Sequence, residues 1–280
     1  MQITPHSIRR QLQPNYPPSE AANLARLICC ELLHQSAVDY YLDKDITLSP
    51  NKAHLLEEIL TRLCNGEPIQ YITGEARFMQ HTFRVTPHVL IPRPETEELV
   101  ERILADHEAT ASPRIVDIGT GSGCIAASLA KALPGAQVTG WDISAEALVV
   151  AAYNCRALQV EVVLEQHDLF GYQPAQWEQF DLIVSNPPYI TESEKSEMEP
   201  HVLEWEPSLA LFVPDSDPLR YYRRIAQLGQ QLLPTGGKLY FEINRAFGAQ
   251  LTALLQTQGY RRVVLMQDIA HANRFIRAER

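Results

Sequence analysis

Through residues 1–66 the apolar positions recur at helix spacing, first at Leu24, Leu27, Ile28, Leu32 and Leu33, then at Leu55, Leu56, Ile59, Leu60 and Leu63. Intervals of three and four place each set on one helix face. The second set has its own boundaries. Ser49-Pro50 pairs an N-cap with a proline at the first helical position, and Asn65-Gly66 is a C-cap signal. Between the two sets, Asp43-Lys44-Asp45 reads as a connection. The pattern changes at residue 67, where Tyr71-Ile72-Thr73-Gly74 and Phe78 to Val85 carry strand-type residues and predict a hairpin. A helix face returns at Leu99, Val100, Ile103 and Leu104, opened by Pro94 with Glu95 and Glu97 in its dipole-favoured first turn.

Beyond this point short apolar runs alternate with helical stretches. Strands are expected at 114–118, 138–142, 160–164, 181–185 and 238–243, and helices at 124–130, 145–158, 218–233 and 246–258. The run Asp181-Leu182-Ile183-Val184-Ser185 is β-branched and continuous rather than alternating, as in a parallel strand buried on both faces. Two closing strands, at 261–266 and 274–277, predict an antiparallel edge. The expected organisation is a helical bundle over 1–66, a hairpin linker over 67–93 and an α/β domain over 94–280.

Composition narrows this picture. With 45% hydrophobic and 21% charged residues the chain has material for a sizeable core. A net charge of −10 argues against a protein whose main task is gripping nucleic acid by its phosphates, so no stable nucleic-acid partner is expected. The five cysteines, Cys29, Cys30, Cys64, Cys124 and Cys155, contain no Cys-x-x-Cys pair and read as reduced thiols of a cytoplasmic protein. The histidines show no metal spacing, so no metal is expected. The N-terminus lacks a signal pattern and no apolar run approaches membrane-spanning length.

Two stretches carry candidate chemistry. The first is the strand Arg114 to Ile118, followed at once by Gly119-Thr120-Gly121-Ser122-Gly123 and a helix. Glycines there allow a sharp turn and a close approach to a ligand. Asp142 ends the next strand 19 residues past Gly123, near the spacing of an acid that accepts from a ribose diol. The dinucleotide fingerprint needs glycine where Cys124 stands, which disfavours a nicotinamide cofactor. After the third strand, Asp168 and Leu169 are candidates for an adenine amino group and ring, with an ordinary loop acid and core leucine as the alternative.

The second stretch is Asn186-Pro187-Pro188-Tyr189, just past a strand's carboxyl end, where open α/β sheets bind ligands. Two prolines fix the backbone and remove two N–H donors, and Asn186 is pushed to an extended conformation. The result is a stiff corner of acceptors with a ring beside it. It suits a planar –NH2 group, which donates two hydrogens and has a face to stack. A plain turn is the alternative for this tetrapeptide taken alone.

Together with the helical N-terminal part, three segments resemble the bacterial protein-(glutamine amide) methyltransferases acting on peptide chain release factors. They are Ile91-Pro92-Arg93-Pro94-Glu95-Thr96-Glu97, Asp117 to Gly123, and Ser185 to Tyr189. The resemblance spans nearly the whole chain. Glu206-Pro207 with Ala210-Leu211 narrows it, because the Asn-Pro-Pro-Tyr corner is shared with DNA adenine and some RNA methyltransferases. It implies a class I, Rossmann-like fold with a mixed seven-stranded sheet, S-adenosyl-L-methionine as methyl donor, and the Gly-Gly-Gln loop glutamine of class I release factors as substrate. Cofactor contacts are then expected from Asp117, which would meet the methionine ammonium, and from Gly119, Thr120, Gly121, Ser122, Gly123, Asp142, Asp168, Leu169 and Asn186. Asn186, Pro187, Pro188 and Tyr189 would hold the glutamine amide, with Asn186, Pro187 and Tyr189 as the catalytic set. Two departures stand out: Leu169, where some members carry an aromatic residue, and Asn244, where many carry glycine. Competing readings are an adenine exocyclic-amine methyltransferase, which would want a basic target-recognition region, and a non-catalytic release-factor-binding module.

Overall fold

The computed structural model describes residues 2–106, 112–175 and 179–280. They form two compact units, one running to Thr73 and joined by Pro200–Trp205, the other comprising Gly74–Glu199 and Glu206–Arg280.

The first unit is helical, with helices Pro5–Leu12, Pro18–Leu27, Ala37–Tyr41, Pro50–Cys64 and Ile69–Thr73. The predicted caps are present: Ser49 accepts from the Lys52 N–H, and Pro50 opens the helix. Ile8, Leu12, Ile28, Leu56 and Leu63 meet in its core. The Tyr71-Ile72-Thr73 stretch, expected as strand, is a helical turn instead. Pro68 begins it, its carbonyl accepting from the Tyr71 and Ile72 N–H groups, and burial of Ile69 and Tyr71 overrides their strand preference. The span expected as a linker is therefore divided, its first residues lying in the helical unit and its hairpin in the second unit.

That hairpin pairs Glu75–Phe78 with His81–Arg84, and Phe78 and Phe83 pack edge to face at 5.8 Å. Both rings join the core that holds Leu99, Ile103 and Ile125. The main sheet has seven strands among the described residues: β1 Arg114–Ile118, β2 Gln137–Asp142, β3 Val162–Gln166, β4 Leu182–Ser185, β5 Lys238–Glu242, β6 Arg261–Gln267 and β7 Asn273–Glu279. Their spatial order is β6-β7-β5-β4-β1-β2-β3, and β7 alone runs opposite to the other six.

Continuous apolar strands follow from cover on both faces. Ile183 joins one core with Val116, Phe241, Tyr222 and Leu251, and its neighbours Leu182 and Val184 join the other with Ile115, Leu99 and Ile125. β3 begins two residues later than expected. Gln159 ends the preceding helix with φ at 56°, and the Val160 N–H bonds back to Cys155, so the chain is still turning at 160.

From β1 the chain steps outward through β2 and β3, then returns to place β4 on the other side of β1. The strand order thus reverses between β1 and β4, the position where open α/β sheets form a ligand crevice at their carboxyl edge. The loops after β1 and β4 are the two stretches singled out above.

Candidate active site

A cavity of about 300 Å³ opens at this reversal. Its floor is the glycine loop. Gly119, Gly121 and Gly123 all have positive φ, at 77°, 54° and 78°, where a side chain would be strained. The Gly119 and Thr120 N–H groups both donate to the Trp141 carbonyl, at 2.8 and 2.9 Å, drawing the loop against the end of β2. Asp142 then holds it: Oδ2 accepts from the Gly121 N–H at 2.8 Å and Oδ1 from the Ser144 N–H at 2.9 Å. Burial pushes the Asp142 carboxyl upward, against those backbone donors, which favour its charged form.

Asn154 braces the loop from behind. Its Nδ2 donates to the Ser122 and Arg84 carbonyls and its Oδ1 accepts from the Arg84 N–H, linking loop to hairpin. Asn154 lies mid-helix with no motif around it, and the sequence reading missed it.

Asp117 lies in β1 with no exposed surface. Thr120 Oγ1 donates to its Oδ2 at 2.6 Å, and its Oδ1 closes no hydrogen bond. Burial pushes its carboxyl up to about 7, with Asp142 adding to the rise and the Thr120 hydroxyl and Ala126 amide drawing it back. Thr120 lines the cavity and Asp117 stands behind it.

At the far side Asp168 and Leu169 line the wall. So do Phe170 and Tyr221, whose rings lie 5.3 Å apart, with the Arg220 guanidinium 4.6 Å from the Phe170 ring. These two rings supply an aromatic surface beside Leu169. Tyr221 comes from a distant helix, so nothing local in the sequence pointed to it.

The fourth wall is the proline corner. Ser185 Oγ donates to the Ile118 carbonyl at 2.6 Å, tying the end of β4 to the end of β1. Asn186, Pro187 and Pro188 line the cavity. Asn186 Nδ2 donates to Thr96 Oγ1 at 3.1 Å, which leaves Oδ1 as the acceptor that the side chain offers a ligand. Tyr189 does not line the cavity. Its hydroxyl donates to the buried Glu242 at 3.1 Å and its ring packs against the core, because a buried phenol seeks a partner. Gly123 also falls outside the lining; its turn serves packing, since a Cβ there would meet Ala151 Cβ at 3.0 Å. Of the expected site residues, Gly119, Thr120, Gly121, Ser122, Asp142, Asp168, Leu169, Asn186, Pro187 and Pro188 thus share one cavity, while Asp117, Gly123 and Tyr189 stand behind its walls.

Glu206 assembles the entrance. Its buried carboxylate accepts from Arg93 Nη2 at 2.5 Å and from the Ile91 N–H at 3.1 Å. That joins Pro92, Arg93 and Thr96 to Pro207, Leu209 and Ala210, all cavity-lining. The acidic segment after Tyr189 is built into short elements. Ile190–Thr191 pairs with Phe212–Val213, and a 3-10 turn follows at Glu192–Glu197. Asn244 explains its own presence in this arrangement: its Nδ2 donates to the Tyr189 carbonyl and to Glu194, a task glycine could not perform. Among the described residues no cluster of His, Cys, Asp or Glu could hold a metal ion.

Comparison with known proteins gives matches along the chain. Residues 6–74 match the PrmC N-terminal domain and residues 96–203 the methyltransferase small domain. The release factor glutamine methyltransferase of Bacteroides thetaiotaomicron is 53% identical over 273 residues, 98% of each chain. That of Flavobacterium psychrophilum is 42% identical over 254 residues, 89% of each. A crystal structure of a methyltransferase from Pyrococcus furiosus superposes with a TM-score of 0.51 at 15% identity, over 70% of this chain and 87% of its own, a likeness of fold.

Proposed function

The chain belongs to the release factor glutamine methyltransferase family, and we propose that the cavity at the β1/β4 reversal is where its methyl donor and its substrate amide meet. The enzyme transfers a methyl group from S-adenosylmethionine to the side-chain amide nitrogen of a glutamine in class I release factors, the glutamine of their Gly-Gly-Gln loop.

The lining suits that donor. A cationic amino acid joined to a nucleoside needs carboxylates at one end and a flat apolar surface at the other. Asp117, with one buried oxygen unbonded behind Thr120, supplies negative charge toward the ammonium from behind the wall. Asp142 keeps lone pairs for the ribose hydroxyls. Leu169, Phe170 and Tyr221 supply the surface for adenine, and Asp168 an acceptor for its amino group. When bound, the cofactor supplies an electrophilic methyl group on a positively charged sulfur.

The protein's own contribution is positioning. An amide nitrogen is a poor nucleophile because its lone pair is delocalised into the carbonyl. Asn186 Oδ1 and the Pro187 carbonyl accept its two N–H bonds and hold it still. As the nitrogen gains positive character, the same oxygens stabilise it. No general base is assigned. The observation that carries this reading is the Asn186 Nδ2 bond to Thr96, which turns the side-chain oxygen into the available acceptor.

The test is transfer of labelled methyl from S-adenosylmethionine to a release factor whose loop glutamine is intact or replaced. Label is expected only on the intact substrate. Asn186→Ala is expected to lower turnover by roughly 10²–10³-fold, as removal of a transition-state hydrogen-bond partner does, with donor affinity little changed. Full activity in that variant would defeat the acceptor assignment, and binding without transfer by the unaltered protein would mark a non-catalytic module.

We further assign recognition of the release factor to the helical N-terminal unit and the reaction to the α/β unit. The cytoplasm, where release factors act on ribosomes, is the compartment proposed; among the described residues no helix is long and apolar enough to cross a membrane.

A further inference from the structure

The amide of Asn186 has two ends, and only one of them can serve a substrate that donates N–H bonds. With the group rotated by half a turn, its own NH2 would face the substrate's NH2, donor against donor. What decides the rotation lies outside the Asn-Pro-Pro-Tyr motif. Glu242 ends β5 with 1% of its surface exposed, and each of its oxygens accepts a hydrogen bond. Thr96 Oγ1 donates to Oε2 at 2.6 Å, and the Tyr189 hydroxyl donates to Oε1 at 3.1 Å. Thr96, 3% exposed, has a single hydroxyl hydrogen, and that hydrogen goes to Glu242. Toward Asn186 the threonine oxygen is therefore an acceptor only, and it takes the Nδ2 proton at 3.1 Å. A rotated Asn186 would set its oxygen against a threonine with no proton left to give.

We propose that Glu242, acting through Thr96, is a positioning residue that sets the hydrogen-bond direction of Asn186 and so holds its oxygen toward the substrate amide. The inference rests on the reading of Asn186 as the substrate's acceptor. Its cost is visible in the fold. Glu242 is an acid inside the protein, and Arg274, on the neighbouring β7, pairs directly with Asp268 at 3.1 Å and reaches Glu242 only by its charge. Burying a carboxylate is expensive, and a packed apolar residue would make a more stable core. An acceptor-only carboxylate is what the relay requires, because a group that also donates could reverse Thr96; burial pushes the Glu242 carboxyl upward, and the hydrogen bonds from Thr96 and Tyr189 favour its charged form against that.

Reversal itself is the sharpest test. In Asn186→Asp, a second acceptor faces the threonine oxygen and turnover falls. Adding Glu242→Gln lets the glutamine Nε2 donate to Thr96, Thr96 donate to the aspartate, and Tyr189 still donate to the glutamine oxygen. Both bonds through Thr96 are then made in the opposite sense, with an oxygen still facing the substrate. The double variant is expected to be about 10-fold or more faster than Asn186→Asp alone, a coupling that only interacting residues show. Independent roles would make it slower. In parallel, Thr96→Val is expected to lower kcat by about 10-fold or more, with KM for the release factor and Kd for S-adenosylmethionine within about 2-fold, and Thr96→Ser to restore kcat. A double variant no faster than Asn186→Asp, or a Thr96→Val enzyme with unaltered kcat, would overturn the relay. If Asn186→Ala is inactive while Thr96→Val is unaffected, the relay falls and the acceptor reading stands; if Asn186→Ala is fully active, both fall.

Discussion

Asp117 occupies the fourth position of β1, where sheet neighbours on both sides exclude water. Its carboxyl is pushed from an ordinary 3.8 up to about 7 by burial. The sign follows directly. Between those values the folded chain keeps a proton that the unfolded chain has released, so stability falls as pH rises through this window and is fully present below about pH 4. Asp117→Asn cannot ionise and keeps the shape. In the ligand-free protein it is expected to be more stable than the parent at pH 8 by roughly 2–4 kcal/mol, with the gap closing by pH 4. Chemical unfolding across that range measures it, and a pH-independent gap would show that Asp117 does not titrate in this way. A bound ammonium would favour the charged form, so the same residue that weakens the empty fold strengthens the loaded one. Asp142 differs in kind: its oxygens already hold the Gly121 and Ser144 N–H groups, so it shapes the loop as well as facing the cavity.

At the scale of elements, the glycine loop is held by three neighbours: the end of β2 through Trp141, the helix Ala145–Leu158 through Asn154, and the hairpin through the same asparagine. Asn154→Ala would leave the Arg84 N–H, the Arg84 carbonyl and the Ser122 carbonyl without their partner. Buried groups left unpaired cost about 1–3 kcal/mol each, so a loss of roughly 2–4 kcal/mol is expected once water and relaxation recover part. Affinity for S-adenosylmethionine is expected to fall with it, since Ser122 is part of the lining. Denaturant unfolding and donor titration check the two effects, and an unchanged donor affinity would mean that the brace supports the fold alone. The hairpin thereby has a role beyond connection, and its phenylalanines, one on each strand, announced only its packing face.

At the scale of the molecule, the helical unit has its own core, with Ile8, Leu12 and Leu56, and the α/β unit has one on each face of its sheet. The cavity belongs wholly to the α/β unit. Ligand binding stabilises only the state that binds it, by about 2.7 kcal/mol at one hundred times Kd. Calorimetry with and without S-adenosylmethionine is therefore expected to raise the transition of the α/β unit and leave that of the helical unit in place. A single transition shifted as a whole would show that the units unfold together. Much of this architecture was legible beforehand. Period marked the helices and strands, proline and glycine marked their ends, and the glycine loop, Asp142 and the Asn-Pro-Pro-Tyr corner carried their chemistry in contiguous residues. Such signals are local, and the chain itself determines them through steric limits on φ and the spacing of apolar side chains. Which way Asn186 faces was not local. It depends on Thr96 and Glu242, 90 residues before it and 56 after, brought together because β5 lies beside β4 and the helix Pro94–Ala105 packs against β5. Only the tertiary structure decided that, as it decided that Asp117 and Tyr189 stand behind the walls, because the direction of a hydrogen bond follows from which groups meet and not from their order along the chain.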